Sequence, residues 1–149
     1  MIKILFVCHG NICRSAMAKF MFKDIIAKNG LGTKFIVDSV AVSYEEEGND
    51  MYPPAKDVLK KHGVSFEHHT AHRMQKSDYN KFDYIICMDE SNLNNIMRII
   101  GQDPLNKVRR LLDFSSNPRD IDDPWYTGNF EKAYQDITEG LECMLNVLK

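Results

Sequence analysis

The sequence predicts an α/β protein: an open four-stranded parallel sheet with helices on both faces, in three αβα layers. Three observations predict it. Apolar β-type runs alternate with segments of helical periodicity along all 149 residues, which is the pattern of strands joined by right-handed helical crossovers. The first run, Ile2 to Val7, is apolar except for Lys3, as expected of a strand covered on both faces. Near the end of the chain, Phe130, Tyr134, Ile137, Leu141, Leu145 and Leu148 recur every three or four residues, so a last helix has one apolar stripe to lay on the sheet. This length suits a single domain over residues 1–149.

Each element follows from local chemistry. After the Ile2 to Val7 strand, Ser15 is a possible N-cap for a helix bearing Met17, Met21 and Ile25, with Phe22 and Ile26 beside them, and Asn29-Gly30 stops it. Phe35 to Val42 is the second strand. Pro53-Pro54 opens a helix that runs through Leu59 and ends at His62-Gly63. Phe82 to Met88 is the third strand, and Ser91 caps a helix carrying Leu93, Ile96, Met97 and Ile100 that Gly101 closes. Val108 to Leu112 forms a short fourth strand before the last helix. No internal repeat or low-complexity linker interrupts this order.

Composition narrows the partners. With 19 Lys plus Arg against 21 Asp plus Glu, the net charge is −2, so neither nucleic acid nor a membrane surface is an expected partner. No apolar stretch reaches the roughly 18 residues of a membrane span. The short N-terminal apolar run lacks the features of a signal peptide. The four cysteines, Cys8, Cys13, Cys87 and Cys143, contain no C-x-x-C and no zinc spacing, which fits a reducing, cytoplasmic setting. The histidines His68, His69 and His72 have no thiol beside them in sequence, and no metal is expected. A monomer is expected, with weak dimerisation as the alternative.

Chemistry concentrates in Val7-Cys8-His9-Gly10-Asn11-Ile12-Cys13-Arg14-Ser15. A strand that ends in cysteine and turns through a short loop into a helix start aims amide N–H groups and the positive helix end at the sulfur. That field favours the thiolate of a group whose free pKa is roughly 8.5, and the thiolate is the nucleophile. Gly10 is expected to allow a backbone angle closed to other residues, and Arg14 offers a planar fork to two oxygens. A tetrahedral oxyanion fits such a cradle. The GK[ST] signature of nucleotide-binding loops is absent, which favours a phosphate monoester over ATP. Transfer of phosphate to sulfur leaves an alkoxide or phenoxide that needs a proton. Asp123, in Asp122-Asp123-Pro124-Trp125-Tyr126, is the candidate acid, with Asp122 as its competitor; Trp125 and Tyr126 could wall a pocket for a flat leaving group.

Three segments together resemble the low-molecular-weight protein tyrosine phosphatase family: Val7 to Ser15, Phe82-Asp83-Tyr84-Ile85-Ile86-Cys87-Met88-Asp89-Glu90-Ser91-Asn92-Leu93, and Asp123-Pro124-Trp125-Tyr126. The resemblance implies a cytoplasmic enzyme without a cofactor that acts on tyrosine-phosphorylated proteins. It implies a phosphocysteine on Cys8, phosphoryl binding by Arg14, and Asp123 as proton donor and then activator of water. By the same resemblance, Ser15 donates to the Cys8 thiolate, and Asn11 holds the loop through Ser39 and His69. His9, Gly10, Asn11, Ile12, Cys13 and Ser15 surround the phosphate, while Trp125 and Tyr126 wall the pocket with help from the Tyr44 to Glu47 loop. Cys13 matches a loop cysteine able to form a reversible disulfide with the nucleophile.

The chain also departs from the family. Ala16 stands in place of proline, Lys19 of glutamate and His9 of leucine; His72 replaces an arginine, with Arg73 one place later; and Glu45, next to Tyr44, takes a position often aromatic. Two rivals remain. A thiol-dependent arsenate reductase would need further redox cysteines, and a phosphotyrosine-binding module without turnover would not need Cys8, Arg14 and Asp123 together.

Overall fold

The computed structural model describes Met1–Lys149. Its strands are β1 (Ile2–Cys8), β2 (Phe35–Ala41), β3 (Tyr84–Cys87) and β4 (Val108–Arg110), all parallel in the order β2-β1-β3-β4. The helices are α1 (Arg14–Lys28), α2 (Pro53–Lys61), α3 (Asp78–Lys81), α4 (Glu90–Ile100), α5 (Pro124–Thr127) and α6 (Phe130–Leu148). No helix is long and apolar enough to cross a membrane.

β1 is an interior strand, and its side chains feed two cores. Successive residues point to opposite faces, so Ile4, Phe6 and Cys8 join the cluster beneath α1, α2 and α6, while Leu5 and Val7 join Ile96, Ile100 and Tyr79 of α4 and α3. Phe6 meets Phe22 edge-on at 6.0 Å, and Phe22 meets Phe35 at 5.3 Å. Each side chain fully buried in this way contributes roughly 1.5–3 kcal/mol. α6 comes so close to the turn after β4 that a β-carbon at Gly140 would overlap Leu111.

Several boundaries differ from the sequence expectation. Ser15 is not a cap: α1 begins at Arg14, its N-cap is Cys13, and the Ser15 hydroxyl turns toward Cys8. Ser91 is not a cap either. Asp89 takes that place, its carboxylate accepting from Asn92 N–H at 2.7 Å, because it is extended where Ser91 is already helical. The fourth strand stops at Arg110, since Leu111–Phe114 tighten into a 3₁₀ turn fastened by Asp113 and Arg110. The third strand is shorter than Phe82 to Met88, and the short α3 and α5 had no periodicity long enough to see.

Candidate active site

β1 ends at Cys8 beside Ala41 of β2, at the carboxyl edge of the sheet where ligands of open α/β folds bind. The chain then curls through residues 9–13 into α1. Asn11 N–H donates to Cys8 Sγ at 3.3 Å, and Ser15 Oγ lies 3.0 Å from the same sulfur. The Asn11 side-chain amide donates to Ser15 Oγ at 2.8 Å, so the hydroxyl keeps its one proton for the sulfur, the backbone oxygen of Val40 being farther at 3.5 Å.

Asn11 is the tie of this loop. It is fully buried, its amide also donates to Ser39 Oγ at 3.0 Å, and its Oδ1 accepts from His72 N–H at 3.3 Å. Its carbonyl oxygen accepts from His69 Nε2 at 2.6 Å. The left-handed backbone of the loop falls on Asn11, at φ 61°, and not on Gly10 as the sequence suggested. Asparagine tolerates that region better than most residues. Gly10 has a different reason: a β-carbon there would sit 3.3 Å from Glu46 Cγ.

Arg14 is 2% exposed, and its guanidinium is held from three directions. Nη1 donates to Asp89 Oδ2 and to the Ile121 carbonyl, both at 2.7 Å; Nη2 donates to Asp123 Oδ2 at a long 3.4 Å. Burial opposes its charge, yet Cys8, Asp89 and Asp123 outweigh it and raise the pKa. Asp123 caps α5 through Trp125 N–H at 3.0 Å, which aims its carboxylate at the pocket. Asp122 instead pairs with Lys132 at 3.3 Å and does not line the pocket. Cys13 does line it, and burial first, then Cys8, push its thiol up.

These groups share a pocket of about 490 Å³ open to solvent, walled by Cys8, His9, Gly10, Ile12, Cys13, Arg14, Glu45, Glu46, Asp123, Trp125 and Tyr126. Trp125 leans on Tyr52 at 4.7 Å, and Tyr52 on Phe130 at 6.0 Å. Glu45 pairs with His9 at 2.9 Å, while Glu47 accepts from His72 Nδ1 at 2.9 Å and Arg73 N–H at 3.0 Å. Tyr44, expected on the wall, lies outside it: its ring is exposed and covered by the Arg73 guanidinium at 4.8 Å. The Tyr44 to Glu47 loop does reach the wall, through Glu45 and Glu46, while sequence reasoning missed Asp89, Tyr52 and the contact of Lys19 with His69. Asp89 carried a signal, an acidic residue just before a helix, but its arginine lies 75 residues away in the chain.

A buried cysteine and arginine around a curled amide loop, opposed by a carboxylate and aromatic walls, define an oxyanion-binding α/β protein with a nucleophilic thiol. Residues 3–149 match the family model described as low molecular weight phosphotyrosine protein phosphatase. A low molecular weight protein-tyrosine-phosphatase of Bacillus subtilis, YfkJ, is 40% identical over 147 residues, covering 97% of this chain and 94% of that protein. The low molecular weight phosphotyrosine protein phosphatase of Homo sapiens is 38% identical over 137 residues, covering 89% and 86%. The crystal structure of YfkJ superposes with a TM-score of 0.95 at 39% identity, covering 99% and 94% of the two chains. A drosophila arginine phosphatase superposes with 0.89 at 31% identity, covering 99% and 98%. The chain belongs to the low molecular weight phosphotyrosine protein phosphatase family.

Proposed function

We propose that this chain, as one catalytic domain over residues 1–149, hydrolyses phosphotyrosine in proteins or peptides, and related aryl monoesters, through a phosphocysteine on Cys8. One arrangement carries the reading: a thiol, an arginine and a carboxyl group reach one pocket from β1, α1 and the loop before α5. The Cys8 thiolate attacks phosphorus as the P–O ester bond breaks, and the leaving oxygen takes the Asp123 proton. Water then attacks phosphorus, gives a proton to Asp123 and frees phosphate as the S–P bond breaks. Asp89 and Ile121 occupy both protons of Arg14 Nη1, so Nη2 is the donor that exchanges Asp123 for a phosphoryl oxygen.

Ile12, Trp125 and Tyr126 suit a flat ring, and Glu45 and Glu46 disfavour acidic neighbours on the substrate. Balanced net charge supports partners other than nucleic acid or a membrane surface, and unpaired cysteines support a reducing, cytoplasmic setting, where we read the chain as a monomer. The reductase rival finds little support, since Cys87 is buried in β3 and neither Cys87 nor Cys143 lines the pocket.

Rapid-quench trapping of a phosphoenzyme tests the covalent step. Cys8→Ser abolishes it, and Asp123→Asn slows phosphorylation by roughly 10²–10⁴-fold; hydrolysis by the Cys8→Ser variant refutes the mechanism. Phosphotyrosine and phosphoarginine peptides compared side by side test the substrate, and preference for the second overturns the class of substrate while sparing the thiol chemistry.

A further inference from the structure

Beneath the loop that carries Cys8, Lys19 Nζ lies 2.7 Å from His69 Nδ1, and His69 Nε2 lies 2.6 Å from the Asn11 carbonyl oxygen. A carbonyl only accepts, so Nε2 carries a proton. With one positive charge on the pair, two arrangements then remain. Either an ammonium on Lys19 donates to a bare Nδ1, or a neutral Lys19 amine accepts from an imidazolium. Ordinary proton affinities, about 10.4 for lysine against about 6.5 for histidine, favour the first by nearly four pH units. We propose that Lys19 is a positioning residue that locks His69 as the neutral Nε2–H tautomer, so that the support under Asn11 keeps one protonation state across the working pH range.

The surroundings agree. His69 is 2% exposed and stands edge-on to Phe20 at 6.3 Å. Its charged neighbours are Lys19 on α1, Asp38 on β2 and Asp50 in the loop before α2; Lys19 itself faces Lys23 and Glu67 as well. Asp50 is already committed, to Lys56 at 2.6 Å, to Met51 N–H at 2.6 Å and to His69 N–H at 3.0 Å, and it also pairs with His68. Asp38 accepts from Ser39 N–H at 2.8 Å. Neither carboxylate is hydrogen-bonded to the ring. Burial, then Lys19, hold the His69 pKa down at about 4, and burial lowers that of Lys19.

The anchored atom explains why this matters. C=O and N–H of a trans peptide point opposite ways, so fastening the Asn11 oxygen to His69 aims the Ile12 N–H away from His69. Ile12 lines the pocket, and Asn11 itself donates to the Cys8 sulfur. A ring that changed tautomer would turn a bare Nε2 to the Asn11 oxygen and release this peptide plane, whereas one that gained a proton would keep that bond and set its new Nδ1–H against the Lys19 ammonium.

The activity arm of the test rests on the phosphatase reading; the other arms do not. Long-range ¹H–¹⁵N spectra of the wild-type His69 ring are expected to show a protonated Nε2 and a bare Nδ1 from about pH 5.5 to about pH 8.5. In Lys19→Glu the ring becomes doubly protonated at neutrality, and Lys19→Arg keeps the wild-type signature. Inorganic phosphate affinity and kcat/KM fall roughly 10-fold in Lys19→Met, whose ring is free to change tautomer, short of the roughly 100-fold cost of a 1 Å misplacement. They are retained in Lys19→Arg, and the Lys19→Glu pH profile gains an ionisation. A wild-type imidazolium at neutral pH, or a ring unchanged by Lys19→Glu, overturns the proposal. So does phosphate affinity that is the same in every Lys19 variant. If the wild type hydrolyses no phosphate ester while ring and phosphate binding behave as stated, the phosphatase reading fails and this one stands.

Discussion

Asp89 performs two tasks with its two oxygens, and substitution separates them. Oδ2 accepts from the buried Arg14 and Oδ1 caps α4, each at 2.7 Å. Asp89→Ser keeps a capping oxygen and loses the arginine contact; Asp89→Ala loses both. A hydrogen bond to a charged group is worth about 1.5–3 kcal/mol. The Asp89 side chain is 19% exposed, and Nη1 keeps the Ile121 carbonyl, which places the loss near the lower half of that range, about 2 kcal/mol. For a chain of this size each kcal/mol moves Tm by about 2–4 °C, so Asp89→Ser should melt roughly 4–8 °C lower. Losing the cap costs about 1 kcal/mol more, hence a further ~2–4 °C in Asp89→Ala. Activity should divide differently. Freed from Asp89, Arg14 closes on Asp123, already 3.4 Å away, and both leave the places that the proposed mechanism gives them. We expect a fall in kcat of roughly 100-fold, equal in the two variants. Thermal unfolding and steady-state hydrolysis of an aryl phosphate measure both effects. Wild-type kcat in Asp89→Ser, with deficits confined to Asp89→Ala, would reduce Asp89 to a helix cap and refute the reasoning.

Two further outcomes follow from the loop. Because Asn11 is left-handed, Asn11→Gly should be about 1 kcal/mol more stable than Asn11→Ala although both lose the same amide bonds; urea midpoints at unchanged m decide, and equal midpoints dismiss the backbone argument. His69 binds its proton more weakly folded, at about 4, than its ordinary 6.5. The unfolded chain therefore takes up the extra proton between these values, so the stability from a neutral His69 is complete above about pH 6.5 and is lost as pH falls toward 4. The stretch above pH 4.5 isolates it from Glu47 and Glu131, carboxylates lowered from 4.5 by their partners. His69→Gln should flatten this slope, and an unchanged slope would assign it elsewhere.

The sheet was legible because the Ile2 to Val7 run and the stripe of the last helix repeat over enough residues to declare their period. Cys8, Arg14 and Ser15 were legible as a cradle because eight residues of contiguous chain hold them, and the resemblance favoured Asp123 over Asp122 as the acid. What escaped was long-range or short-lived along the chain. α3 and α5 are one turn each, too brief for periodicity. Asp89 on Arg14, Tyr52 behind Trp125 and Lys19 on His69 are pairings made by packing. Tyr44 failed for the opposite reason: an aromatic beside a pocket loop found a better neighbour in Arg73 than in the cavity.

The two halves of the proposed reacting pair are mounted on ground of unequal firmness. Cys8 closes a strand hydrogen-bonded on both sides, so its amide neighbours should exchange with solvent only when the whole domain opens. Asp123 caps a single turn beside half-exposed Trp125 and exposed Tyr126, a segment able to open by itself at little cost. In the proposed mechanism the acid can thus trade its arginine for a leaving oxygen many times within one lifetime of the cradle, and hydrogen-exchange rates along the chain should fall into those two populations.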